Sequence, residues 1–401
     1  MGQDETITTN GRASTGRSAG RPRVAVVIDA VGPWSKGGRE VRYGAMLPRL
    51  AAAGLDIEVF TMKWWQEQPT GSVRYTAICP RLSLYKGERR SIFQATVFAL
   101  SCLRLLSRKF DVILADQMPY LPLFPLRLVA WMKRVDLIVQ WHELWGSDYW
   151  RGYLGKAGIV ASAIESSALR LPDGIVAVAD PIATRIVDGG ISRERVVVIP
   201  NAVDKARLST VPGEPRDEEL LVVGRLMAHK HVDDALHATA LLRADGRAVK
   251  LAVVGDGPER GRLEALAQEL GIRDSVTFVG ALGPQEEVWA WMKSVKVLIS
   301  PSEREGFGLS VAESLALGTP VVCVDYPEND STRLVTDGAT GAIVQRRDIQ
   351  ALADAIATWL DDRVDASSIS SKFWESHQDM DWDVSATLLA EYIFELASRN
   401  V

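Results

Sequence analysis

The sequence predicts an α/β protein of two Rossmann-like domains facing a cleft between them. Three observations predict it. The chain has 401 residues, too many for one ordinary domain and suited to two of about 180 to 200. Short apolar runs alternate with helix-length segments in two separate stretches, a pattern that gives parallel strands joined by crossover helices. Between those stretches, residues 205–218 carry Pro212, Gly213 and Pro215, which is linker composition. The expected organisation is a disordered tail at 1–22, a first domain at 23–204, the linker at 205–218, a second domain at 219–384, and a last helix at 385–401 that packs back on the first domain.

The tail is rich in Gly, Ser, Thr and Arg and has no apolar segment of the kind a signal peptide needs. In the first domain, 23–29 reads as a strand, the Gly37-Gly38 pair as the turn after it, 39–53 as a helix stopped by Gly54, and 57–61 as a second strand. Two glycines at a strand-to-helix turn can form an anion-binding nest; a plain tight turn is the competing reading. Residues 91–110 read as one apolar helix flanked by Lys86, Arg89, Arg90, Arg104, Arg108 and Lys109. Such a helix either covers the sheet or docks on anionic lipid, and the segment at 131–134 carries the same ambiguity. Strands at 111–115 and 136–140 follow. The second of these runs directly into His142, which places that ring on the ligand side of the sheet.

In the second domain, strands are expected at 220–223, 250–254, 276–279, 295–300 and 321–324, and helices at 232–245, 259–270, 284–292 and 309–317. Helices at 349–360 and 385–399 close the chain. In parallel sheets ligands bind where strands end and helices begin. Arg225 and Lys230 follow the first strand of this domain. Glu305, Gly306, Phe307, Gly308 and Leu309 lie between a strand and a helix that carries Glu313. A helix N-terminus offers free N–H groups and a positive dipole end to phosphate, two cations suit a diphosphate, and two carboxylates can hold hydroxyls. Together these features point to a nucleotide sugar. Gly255 ends another strand, where a structural turn competes with ligand contact. The backbone at Val279 and Gly280 is placed to meet a nucleobase edge.

Composition narrows the classes. Hydrophobic residues make up 47% of the chain, ample for two cores. Cys79, Cys102 and Cys323 lack metal-ligand spacing, and a reducing cytoplasm fits them better than disulfides. Pro119, Pro122 and Pro125 interrupt the one region that approaches the length of a spanning helix. The net charge of -5 is uneven: residues 1–204 hold 26 Lys+Arg against 19 Asp+Glu, and the rest 20 against 32. A basic first half fits peripheral contact with an anionic membrane at the inner face of the cytoplasmic membrane, or ordinary surface variation. A pI of about 5.7 gives no support to nucleic-acid binding.

From Arg23 onward the chain resembles the retaining family-4 glycosyltransferases of GT-B fold (glycosyl transferases group 1). The residues that carry the resemblance are Gly224-Arg225 with Lys230, Gly255-Asp256-Gly257-Pro258, Val276-Thr277-Phe278-Val279-Gly280, the pair Glu305 and Glu313, Gly318-Thr319-Pro320, and Asp337-Gly338-Ala339-Thr340-Gly341. The first half adds Gly37-Gly38, His142-Glu143, and 198–204. The resemblance implies that Arg225 and Lys230 bind the donor diphosphate, that Glu305 and the N–H groups of 306–309 lie at the donor sugar, and that Glu313 holds the ribose hydroxyls. It further implies His142 near the reacting sugar and Gly38 in a loop closing on phosphate or acceptor. The implied reaction retains anomeric configuration and needs neither metal nor cofactor, the nucleotide-diphosphate sugar being a co-substrate. Departures are Ala202 and His231 where Gly is usual, Ser314 where Ala is usual, and the 325–330 loop. An epimerase on the same scaffold is a competing reading, although the Arg-Lys-Glu-Glu set fits transfer better. A non-catalytic binder would tolerate loss of Glu305, Arg225 or Lys230, and all three are present. Donor base, sugar and acceptor are not legible.

Overall fold

A computed structural model describes residues 21–32, 34–35, 37–86, 89–361 and 365–399. Residues 1–20 of the expected tail lie outside them. In chain order the first half comprises β1 (Arg23–Val27), α1 (Gly38–Ala52), β2 (Asp56–Met62), β3 (Arg74–Cys79), a hairpin of β4 (Tyr85–Lys86) and β5 (Arg89–Arg90), α2 (Ile92–Ser101), β6 (Val112–Asp116), α3 (Leu123–Lys133), β7 (Asp136–Trp141), α4 (Gly146–Leu154), α5 (Gly158–Ala168), β8 (Gly174–Ala177), α6 (Asp180–Asp188) and β9 (Val196–Val198). The second half comprises α7 (Lys205–Ser209), β10 (Leu220–Val223), α8 (Val232–Ala244), β11 (Leu251–Val254), α9 (Arg260–Glu269), β12 (Val276–Gly280), α10 (Gln285–Ser294), β13 (Val297–Ser300), β14 (Arg304–Glu305), α11 (Leu309–Ala316), β15 (Val321–Asp325), β16 (Glu328–Asn329), β17 (Gly341–Gln345), α12 (Ile349–Asp361), α13 (Ala366–Ser376) and α14 (Trp382–Arg399).

Two parallel sheets result, in the orders β3-β2-β1-β6-β7-β8-β9 and β12-β11-β10-β13-β15-β17. Their central strands are continuous apolar runs buried on both faces, as crossover helices on both sides require. Each order reverses direction once, between β1 and β6 and between β10 and β13. At such a reversal the connecting loops diverge and leave a crevice beyond the carboxyl ends of the strands.

The last helix belongs to the first half's core. Trp382, Leu389, Ile393 and Leu396 are buried in the same cluster as β1, β2 and β6, and α14 packs along α1. A buried cation fixes the crossing between halves. Arg42 of α1 donates to Gln140 Oε1 (2.6 Å), Asn201 Oδ1 (3.0 Å), and the carbonyls of Pro200 and Ile199 (both 2.9 Å). Burial pulls its guanidinium down to about 10. Residues 199–201 thereby hold Arg42, just before the chain enters α7.

The structure differs locally from the sequence reading. The helix expected over 91–110 ends at Ser101 and continues as tighter 3₁₀ turns over Cys102–Ser107. Pro125 falls in the first turn of α3, where its missing N–H costs no hydrogen bond, so a helix forms there regardless. Among the described residues no helix is long and apolar enough to cross a membrane. The sequence reading does not anticipate β3, whose burial is partial for most of its length, β17, or the helices α4, α5, α6 and α13, and α7 occupies the start of the expected linker.

Candidate active site

The second sheet's reversal assembles the cationic half of the site. Gly224 and Arg225 leave β10, and Ser302 and Glu305 follow β13. The loop after β10 is pinned onto the loop after β11: Leu226 N–H donates to Asp256 O (3.0 Å), and Glu259 N–H donates to Leu226 O (3.1 Å). Gly255 is required by this packing, since a Cβ there would lie 1.8 Å from the Gly224 carbonyl oxygen, and its φ is +144°. Its role in the structure is therefore to let two loops meet, and through them to hold Arg225 at the crevice. Lys230 Nζ pairs with the Glu305 carboxylate, which also accepts from Ser302 Oγ (3.0 Å). A small cavity here is lined by Arg225, Lys230, Ser300, Ser302 and Ser310.

The neighbouring residues explain two of the sequence's departures. His231 adopts a left-handed backbone (φ 46°, ψ 42°), the conformation for which glycine is otherwise favoured. Its ring stacks on Tyr326, with centroids 5.5 Å apart, so the substituted 325–330 loop supplies the partner. Burial, then Lys230, pulls His229 down to about 4, leaving it neutral beside the lysine.

Glu313 lies on α11, buried, with Gln285 Nε2 3.2 Å from both carboxylate oxygens. Burial pushes its carboxyl up to about 7. Gly308, at φ +88°, caps α11, and the buried Phe307 anchors the preceding loop in the core. At the far edge of the sheet, Val254 pairs with Gly280 after Val253 pairs with Phe278, so Val279 is an extra bulged residue outside the ladder. Gly280's carbonyl accepts from Gly255 N–H (2.9 Å).

The first sheet's reversal assembles a different cluster. Asp29, two residues beyond β1, and Asp116, at the end of β6, are both buried. Arg39, immediately after Gly37-Gly38, pairs with Asp29 (3.0 Å), Glu40 (3.0 Å) and Asp116 (3.2 Å). The other Asp116 oxygen lies 3.1 Å from His142 Nε2. Burial raises the Asp116 carboxyl, but Arg39 and His142 outweigh it and hold it below the usual range. Gln117 secures the same strand end by accepting from His142 N–H (2.5 Å) and donating to Glu143 O (2.7 Å). Burial pushes the Glu143 carboxyl up, against the Trp145 indole N–H that it accepts at 2.8 Å.

The two clusters meet across the cleft. A Cβ on Gly306 would lie 2.2 Å from His142 O and 3.0 Å from Glu143 Cγ, so glycine is what allows the loop to reach the strand end. Gly38 faces the Leu309 side chain, which lies 3.4 Å from where a Cβ would project. Arg225 donates to Tyr85 OH and lies over that ring at 5.0 Å. Arg304 lies 3.8 Å over Tyr149, and Arg185 pairs with Asp330. Of the residues singled out from sequence, the structure thus gathers Arg225, Lys230, Glu305, Gly306, Leu309, His142 and Gly38 around one cleft, with Gly37 at the N-cap of α1. Glu313, Val279 and Gly255 belong to the second sheet's own architecture.

Sequence reasoning passed over Asp29, Arg39, Asp116 and Tyr85. A signal for three of them existed. Acids closing two apolar strands and an arginine directly after a Gly-Gly turn are costly placements unless they meet one another. Tyr85 had none, because its partner is 140 residues away.

Comparison with known proteins agrees with this architecture. Residues 204–373 match the family model of glycosyl transferases group 1, and residues 36–207 match that of glycosyltransferase family 4. The 2-deoxystreptamine glucosyltransferase of Streptomyces kanamyceticus is 35% identical over 175 residues, which is 40% of this chain and 45% of that protein, so the match spans less than half of that relative. The fold of the sucrose-phosphate synthase from Thermosynechococcus elongatus superposes with a TM-score of 0.75 at 21% identity, covering 94% of this chain and all of the other. Anabaena HepE, solved in complex with UDP-glucose, gives 0.72 at 16% identity with the same coverage. The paired family models, the two parallel sheets and the cleft between them place this chain in glycosyltransferase family 4, with the GT-B fold.

Proposed function

We propose that this chain transfers a hexosyl-type sugar from a nucleotide-diphosphate sugar to a hydroxyl acceptor, with retention of anomeric configuration. One observation carries the reading: Lys230 and Glu305 are paired at the second sheet's reversal, beside Arg225 and opposite His142. In this reading the incoming diphosphate takes Lys230 and Arg225 as its counter-ions. The N–H groups of 306–309 meet the phosphates and sugar, Glu313 accepts from the ribose hydroxyls, and the Val279 backbone meets the base. Gly37 and Gly38 line the acceptor side. HepE's complex with UDP-glucose supports a nucleotide sugar as donor. The acceptor is a glycan of the cell envelope, a lipid-linked sugar or a small molecule.

The anomeric carbon's bond to the diphosphate oxygen breaks as its bond to the acceptor oxygen forms on the same face. The acceptor proton passes to a non-bridging oxygen of the leaving diphosphate. Two cations beside that diphosphate stabilise the charge it gains, each such group being worth about 10²- to 10³-fold in rate. Written this way, the step uses no cofactor, metal or enzyme nucleophile. Cys79, Cys102 and Cys323 are free and buried, which supports a reducing, cytoplasmic setting. Incubation with a panel of UDP, GDP, ADP and dTDP sugars tests the reading. Release of one nucleoside diphosphate by wild type, absent in Glu305→Gln, is expected. Equal release by both would overturn the assignment of Glu305.

A further inference from the structure

A second surface lies outside the transfer site. The connections β3 to β6 and β6 to β7 cross the first sheet in the same direction. Right-handed crossovers therefore place α2 and α3 on one face of it, where they pack side by side. Their inner faces seal the core through Ala95 and Phe98, and through Leu126, Val129 and Ala130. The outer faces of such helices are ordinarily polar, and here they are not. The ten residues of α2 include no charge, and Ile92, Phe93 and Leu100 are 74%, 70% and 64% exposed. On α3, Phe124, Leu128 and Trp131 recur on one outward stripe beside Met132, with Trp131 69% exposed. Leu106 extends the α2 row.

This apolar surface has a cationic rim. Residues 81–134 hold ten Lys+Arg against three Asp+Glu, although Arg127 is taken by Asp173, which with Asp136 borders the Trp131 end of the surface. Of those three acids, Asp111 is taken by Arg23 and Asp116 is buried in the cluster described above. Arg104 and Lys133 donate to the backbone carbonyls of Ile78 and Arg108, and Arg108, Lys109 and Arg134 are exposed.

We propose that this face docks on an anionic phospholipid bilayer, with Ile92, Phe93, Leu100 and Trp131 entering the acyl boundary and Arg104, Arg108, Lys109 and Arg134 meeting the headgroups. An apolar face with Trp and Phe, bordered by Lys and Arg, has the amphipathic character of interfacial helices. Charge decides between partners. A second copy seated face to face would bring two cationic rims together, which is repulsive, whereas an anionic surface complements both the rim and the apolar centre. The docking does not depend on the transfer reading. A consequence does: β5 ends just before Ile92, and Tyr85 of the same hairpin touches Arg225, so a lipid-linked acceptor would reach the cleft from the bilayer side.

Flotation of the full chain with phosphatidylcholine vesicles, with and without phosphatidylglycerol, tests the proposal. Wild type is expected to float only with the anionic vesicles and to be released by high salt. Phe93→Ser/Trp131→Ser should bind them at least about tenfold more weakly, and Arg108→Glu/Arg134→Glu should also lose binding. Both variants should keep the circular dichroism spectrum and nucleotide-induced stabilisation of wild type. Absence of flotation, equal binding to neutral vesicles, or unchanged binding by both variants would overturn it. So would a dimer in sedimentation velocity that Phe93→Ser/Trp131→Ser dissociates, since the face would then belong to a second copy. Vesicle binding without any nucleotide response would leave the docking intact and count against the transfer reading instead.

Discussion

The two sheets solve the same geometric problem with opposite chemistry. Each reverses its strand order once, and each places charged residues at the reversal. In the first sheet the charges satisfy one another: Asp29, Glu40, Asp116 and Arg39 form a buried cluster whose outward member is His142. In the second sheet the charges remain at the crevice: Arg225 is exposed, and Lys230 and Glu305 are only half-buried. A closed cluster stiffens and orients, because breaking one of its members strands a buried charge. A half-open set still reaches the crevice, so an anionic ligand there can take the place of Glu305 as the partner of Lys230. On the proposed reading, positioning falls to the first reversal and donor binding to the second.

Four variants or conditions would break or sharpen this contrast. The largest effect expected is on chemistry at the open site: Glu305→Gln should lower kcat/KM by about 10²- to 10³-fold while leaving Tm almost unchanged, as steady-state rates and calorimetry can establish. The closed cluster should show the reverse. Asp116→Ala leaves Arg39 short of one partner and His142 without its anchor, and should destabilise the protein by about 3 kcal/mol. Nucleotide binding at 25 °C should be retained; a variant as stable as wild type would mean that the cluster is not what stiffens this half.

Next in size is a pH effect at Glu313. Its folded carboxyl titrates at about 7, above an ordinary value of 4.5. The folded protein therefore holds a proton that the unfolded chain has already lost between those values. This contribution to stability is complete below about 4.5 and is lost as pH rises through 7. If Glu313 holds the ribose as proposed, its hydroxyls donate to the ionised form, so nucleotide affinity should rise between pH 6 and 8, by about tenfold at most, and Glu313→Gln should flatten that profile. The smallest effect is expected at the bridge between halves: Tyr85→Phe removes one hydrogen bond to Arg225 but keeps the ring beneath it. It should change KM by about threefold or less. A large loss of kcat there would give Tyr85 a part in the chemistry.

The same contrast explains what the sequence made legible. On the proposed reading a donor diphosphate demands cations and N–H groups at fixed offsets from a strand end, and Arg225, Lys230, Glu305 and Gly306 stand in short local patterns. Five of the second sheet's six strands could be read in order, being apolar runs at regular intervals, whereas β17 follows the 337–341 turn and carries no such signal. The first half depends on partners far apart in sequence. Asp29 meets Arg90 and Gln94 over more than sixty positions, Arg42 meets Asn201 over 159, and Arg225 meets Tyr85 over 140. No window contains both members of such pairs. The glycines show the limit from the other side. Gly255 was legible as important, but whether for a ligand or for a turn could be decided only when Gly224's carbonyl was seen against it.

The central claim is that the second sheet's reversal binds the donor diphosphate through Arg225 and Lys230. The most direct test is calorimetric titration of wild type and Arg225→Ala/Lys230→Ala with UDP, GDP, ADP and dTDP. One nucleotide should bind wild type, and the variant should bind it at least about 100-fold more weakly, as loss of two charge-assisted contacts implies, while keeping its fold. Equal affinity in the two proteins, or no affinity of wild type for any of the four, would contradict the claim.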